Sequence, residues 1–144
     1  MNDFIKNCKK HKGENSTILI LDSGIPKSID LKNKVNINKS KNFFTLPYLD
    51  KYCKNKNYLF KDKKYKYVLE DDNDNFDHQT SIMSVLSSDY LGVSPKSNII
   101  TGKILNQHGM APLEYILEGL IFANQINPNV VNISNGYSLS QIKK

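Results

Sequence analysis

Apolar positions in this chain fall into short blocks separated by long polar stretches. The first block, Thr17-Ile18-Leu19-Ile20-Leu21, is continuous rather than alternating and has polar residues on both sides. A run of that length and β-branched content predicts a strand buried on both faces. Asp22-Ser23-Gly24 closes it as a turn. From Gln79 the spacing becomes helical: Ile82, Val85 and Leu86 fall at i, i+3 and i+4, with Met83 beside them. Gly92 and Pro95 punctuate the loop that follows, and Asn98 to Leu105 predicts a second strand. Pro112 suits the first position of a second helix. Its apolar stripe is Leu113, Ile116, Leu117, Leu120, Ile121 and Ala123. Asn127-Pro128-Asn129 ends that helix, and Val130-Val131-Asn132-Ile133-Ser134 predicts a third strand.

The polar stretches are less informative. Residues 1–16 read as a polar arm. Residues 32–66 are rich in lysine and asparagine with scattered aromatics and no clear period, so short strands and an irregular excursion both fit. Tyr65 to Leu69 is a further candidate strand, and Glu70 to Asp77 is an acidic loop. The order is strand, excursion, helix, strand, helix, strand. Strands alternating with helices predict an α/β fold with a parallel sheet. A chain of 144 residues suits one domain.

Charge is uneven. All twenty basic residues are lysine; sixteen fall in residues 1–66 against six acidic side chains, and four fall in residues 67–144 against eight. A basic half invites a nucleic-acid reading, with tyrosines interleaved among the lysines of 32–66. Base and phosphate recognition leans on the arginine fork, which this sequence lacks, so a solvated lysine surface is preferred. Cys8 and Cys53 are too few for a disulfide framework and lack metal-ligand spacing. The first seventeen residues have no apolar core of a secretory signal, and no apolar run approaches a bilayer span. A soluble cytoplasmic protein with reduced thiols, and no membrane partner, is expected.

Two residues carry candidate chemistry. In an open parallel sheet, sites form beyond the carboxyl ends of the strands. Asp22 stands at such an end, and His78 begins a helix whose first residue can face the same rim. A carboxylate there can orient the imidazole and stabilise its protonated form. The third member would be a serine hydroxyl for that imidazole to deprotonate.

The surrounding sequence resembles the subtilisin-like serine peptidase (subtilase) family. Ile18 to Ile25 is similar to its aspartate motif, an apolar strand followed by D-[ST]-G-[IV], and Ser28-Ile29-Asp30-Leu31 resembles the H-P-D-L that follows. Asp77-His78-Gln79-Thr80-Ser81-Ile82-Met83-Ser84 resembles the G-H-G-T-H-V-A-G histidine motif, and Gly92-Val93-Ser94-Pro95 resembles G-V-A-P. Lys103-Ile104-Leu105 resembles K-V-L, Glu118 to Ala123 resembles the helix containing G-I-x-W-A, and Val130 to Gly136 resembles V-I-N-M-S-L-G. The motifs keep the family's order over roughly residues 16–140. Asp before His is also the chain order of the subtilisin triad.

The resemblance implies a part of a three-layer subtilisin-like fold over residues 17–144, with Asp22 as triad carboxylate and His78 as general base. It implies that His108, Gly109 and Met110 on one side, and Ser134, Asn135 and Gly136 on the other, flank an extended polypeptide substrate or peptide ligand. The family's oxyanion asparagine and its G-T-S-x-A serine lie beyond the last motif. No G-T-S or G-x-S-x-G occurs here, and Ser138 and Ser140 stand in no nucleophile context. The expectation is a subtilase segment inactive alone, with a separately encoded C-terminal half as one possible partner and a peptide-binding pseudoprotease as the alternative. Such a segment leaves a sheet edge and an apolar face uncovered.

The histidine motif departs from the family at Gln79 and Asp77, each replacing a glycine. Gln79 is expected to cost packing or to displace His78, and Asp77 to set a second carboxylate beside the ring. Subtilases often bind calcium, and Glu70 to Asn75 is the acidic candidate. It lacks the glycine and terminal glutamate of an EF-hand loop, so a solvated loop and no cofactor are expected.

Overall fold

The computed structural model describes residues 12–45, 47 and 70–136. The arm up to residue 11, both cysteines, the Tyr65–Leu69 stretch, Ser138 and Ser140 lie outside the described residues. In chain order the elements are β1 (Thr17–Asp22), α1 (Ile29–Lys32), a single 3-10 turn (Ile37–Lys39), β2 (Lys41–Asn42), α2 (His78–Ser87), β3 (Asn98–Lys103), α3 (Leu113–Ile126) and β4 (Val130–Asn132). The four strands form one parallel sheet in the order β2-β3-β1-β4. The fold is α/β, as the alternation of strand and helix predicts.

β1 is a central strand, and Leu19, Ile20 and Leu21 are fully buried. A strand covered on both faces needs apolar side chains at every position, which is why the run does not alternate. Leu19 and Leu21 point to one face, against Ile100, Ile104, Tyr115 and Phe122, where α3 packs. Ile18 and Ile20 point to the other, against Ile99, Leu31, Val35 and Met83, where α1 and α2 pack. Helices on both faces of the sheet give three layers.

Both long helices turn a different stripe inward from the one their leucines and isoleucines suggest. α2 buries Gln79, Met83 and Ser87, with Leu86 partly covered, while Val85 is 65% exposed. α3 buries Tyr115, Glu118, Gly119 and Phe122, with Ile116, Ala123 and Ile126 packed at the margin. Leu113, Leu117, Leu120 and Ile121 are exposed. Gly119 explains the choice: a Cβ there would lie 3.0 Å from Leu21 Cδ1, so its line of the helix approaches the sheet most closely. Pro112 precedes the helix rather than starting it, and its carbonyl accepts from the N–H groups of Tyr115 and Ile116.

Among the described residues β4 forms the sheet edge, and Val130, Val131 and Ile133 are exposed beside it. No helix among the described residues is long and apolar enough to cross a membrane.

Candidate active site

The site is built where the sheet's carboxyl rim meets the start of α2. β1 ends at Asp22, which pairs in register with Lys103 of β3. The chain then turns at Gly24, whose φ of +120° favours glycine. Space requires glycine there too, since a Cβ would stand 2.7 Å from the Asp72 carbonyl oxygen. The close approach lets Ile25 N–H donate to the Asp72 carbonyl and Asp74 N–H to the Ile25 carbonyl, both at 2.7 Å. The acidic stretch is thereby laid along the turn, and it delivers the chain to His78.

Asp22 and His78, 56 residues apart in sequence, meet there. His78 Nδ1 lies 2.9 Å from Asp22 Oδ1 and 3.0 Å from Oδ2. Asp22 is fully buried, and the His78 side chain is 38% exposed. A carboxylate only accepts, so the contact asks Nδ1 to donate, and in a neutral ring so bonded the lone pair is left on Nε2. Asp22 Oδ1 also accepts from Ser23 N–H at 2.8 Å and Ser23 Oγ at 2.9 Å. Three donors thus fix a buried carboxylate that would otherwise be costly to desolvate. No described residue hydrogen-bonds to His78 Nε2.

The two departures from the histidine motif are accommodated in different ways. Asp77 adopts φ +62° and ψ 8°, the left-handed region where glycine is favoured and aspartate tolerated. Its side chain makes no cap hydrogen bond and the residue is exposed. Gln79 corrects the expectation of a displaced histidine. It is fully buried, its Oε1 accepts from Gly24 N–H at 3.2 Å, and its own N–H donates to Ser23 Oγ at 3.0 Å. The amide finds a partner in the turn itself, so His78 keeps its contact with Asp22.

The acidic stretch is only partly the solvated loop expected from its composition. Asp71 and Asp72 are exposed, but Asp74 is fully buried and bonded to the first turn of α2. The side chain of Glu70 is also buried, beside Lys103. Among the described residues no group of three or more His, Cys, Asp or Glu side chains is placed to hold a metal ion.

The candidate peptide-flanking residues divide. Gly109 lies against Phe76, whose ring centroid is 6.0 Å from that of His78, so the loop reaches the pair through this ring. Met110 is half-buried and its N–H is held by Asn106 Oδ1. His108 is exposed, with its Nε2 beside the Gln107 amide at 3.4 Å. On the other side, Asn132 pairs with Ile20, so the chain leaves the sheet at Ser134 on the same rim as Asp22. Ser134 Oγ donates to Asn132 Oδ1 at 3.0 Å. Asn135 is half-buried, and Gly136 stands in open space. An open groove of about 540 Å³ runs between α2 and β4, lined by Ser81, Ile82, Val85, Val130, Asn132 and Ser134 among others.

Asp74 and Phe76 are neighbours of the pair that motif reading misses, and Ser23 and Gln79 stand in the motifs without their contacts being legible there. Their positions depend on contacts across the fold, which residue order does not show. No family model matches the chain, and no curated protein matches it.

Proposed function

We propose that this chain carries the carboxylate and imidazole of a subtilisin-type serine endopeptidase site, acting in peptide-bond hydrolysis when a hydroxyl is brought to His78 Nε2. The observation that carries the reading is the contact of His78 Nδ1 with the buried Asp22 carboxylate at 2.9 Å. Support comes from the glycine-like backbone at Asp77, from the Asp-Ser-Gly turn packed on the segment leading to His78, and from the shared sheet rim. In this chemistry Asp22 holds the ring in one tautomer. Nε2 takes the hydroxyl proton as the oxygen attacks the carbonyl carbon, then returns it to the leaving amine.

A second reading, peptide binding without turnover, is favoured by one observation: an open groove of about 540 Å³ runs between α2 and β4. By either reading the chain alone turns over no peptide ester or casein. Turnover by the purified protein, abolished in His78→Ala, would contradict that.

A peptidyl chloromethyl ketone tests the site directly. Its methylene carbon forms a bond to Nε2 as chloride leaves, and mass spectrometry locates the label. His78 is expected to label well ahead of His108, with protection by the same peptide lacking the ketone and loss in Asp22→Ala. Equal labelling of both histidines, unaffected by peptide, would overturn the proposal.

A further inference from the structure

The turn after β1 and the first turn of α2 are joined by the Asp22–His78 contact and by a second, wholly buried connection. Gln79 N–H donates to Ser23 Oγ at 3.0 Å, and Ser23 Oγ donates on to Asp22 Oδ1 at 2.9 Å. Gly24 N–H donates to Gln79 Oε1 at 3.2 Å. These bonds, with His78 Nδ1 on Asp22, close a ring in which each element is held to the other from three directions.

We propose that Gln79 is a positioning residue, whose side-chain carbonyl clasps the Gly24 turn and so keeps Asp22 aligned on His78. The burial of the amide argues for this. A fully buried amide is costly unless its bonds are made, and an apolar side chain of the same length would fill the space without that cost. The Gln79 Nε2 end gains little, since it faces Met83 Sδ at 3.9 Å. What the amide supplies over methionine is the acceptor for Gly24 N–H. Without it that N–H is buried with no partner, and the turn bearing Asp22 loses its hold on α2. Ser23 and Gln79 therefore act through Asp22 and touch no substrate.

The clasp rests on the proposed function for its purpose, but its test reads the pair itself. Nitrogen-15 NMR of the full chain reports which ring nitrogen of His78 carries the proton. The parent is expected to hold the Nδ1–H tautomer. In Gln79→Met the ratio of Nδ1–H to Nε2–H should fall about three- to tenfold, the worth of one buried hydrogen bond. Met83→Leu, which removes only the sulfur contact, should leave the ratio unchanged. A folded Gln79→Met with the parent ratio overturns the clasp and leaves the functional reading standing. A parent without the Nδ1–H tautomer overturns both. If Gln79→Met fails to fold, hydrogen exchange in the parent decides: Gly24 N–H should be protected as strongly as the amides of α2, and free exchange there overturns the clasp.

Discussion

Asp74 reaches six residues forward to hold Thr80: its Oδ2 accepts from Thr80 N–H at 2.7 Å and Thr80 Oγ1 at 2.6 Å. Its Oδ1 accepts from Phe76 N–H at 3.2 Å. Asp77, the residue at the cap position, offers no side-chain bond, so the carboxylate of Asp74 serves the positive end of α2 instead. Asp74→Ala leaves these donors without a partner and is expected to destabilise the fold by about 2–3 kcal/mol. Asp74→Asn keeps one acceptor and should cost less. Urea denaturation of the two variants measures the difference, and equal losses would contradict the role.

Lys103 lies within 3.1 Å of Glu70 Oε2 although both side chains are almost fully buried. The contact lacks hydrogen-bond geometry at that oxygen: Lys103 Nζ aims instead at the Asn73 carbonyl, 2.6 Å away. Glu70 Oε1 meanwhile accepts from Gln107 N–H at 3.0 Å, tying the rim loop down. Lys103→Met strands a buried carboxylate and is expected to cost about 3–5 kcal/mol. The double variant with Glu70→Gln should recover most of that loss, because no unpaired charge remains. A double-mutant cycle by denaturation checks the coupling.

Gly109 has φ +71°, and a Cβ there would stand 2.4 Å from Phe76 Cζ. Gly109→Ala meets both obstacles and should destabilise by about 1–3 kcal/mol. Phe76→Ala in the same chain removes the collision but leaves the backbone strain. The pair is expected to couple, with the second substitution costing less in the Gly109→Ala background than in the parent. Strict additivity would show that Phe76 and Gly109 do not touch.

Asp71 is held below the usual carboxylate range, chiefly by the Asn73 side-chain amide; burial opposes this, and Asn75, Asn73 N–H and the charge of Lys103 reinforce it. A depressed folded value means the folded state holds the ionised form more tightly than the unfolded chain. The contribution is present above the unfolded value of 3.8 and is lost as pH falls through the folded one. The group is exposed, so solvent screening keeps the effect small. Asp71→Asn should lower the denaturation midpoint slightly at neutral pH and leave it unchanged at the acid end, so that the acid limb of a plot of midpoint against pH is flatter.

Much of this was legible from residue order. The uninterrupted Ile18–Leu21 run fixes a doubly covered strand, because alternation is absent only when both faces are buried. The Asp-Ser-Gly turn and the start of α2 located Asp22 and His78. The inward faces of the helices were not legible. Leucines at helical spacing on α3 look like a core stripe, yet Gly119 and Phe122 face the sheet, because close approach favours the small residue over the larger apolar ones. Gln79 was misjudged for a related reason. A residue pattern gives its size and polarity, whereas its cost depends on whether Gly24 N–H stands within reach.

β1 and β3 lie side by side although Thr17 and Asn98 are 81 residues apart, and the chain between them contains His78. Closing so long a loop is entropically slow, and nearby helical turns form first. The imidazole is carried on a local element, a helix, and its carboxylate on a strand whose pairing is long-range. Folding speed and the birth of the candidate site are thereby linked: until β1 takes its place in the sheet, the helix-borne imidazole stands apart from its carboxylate.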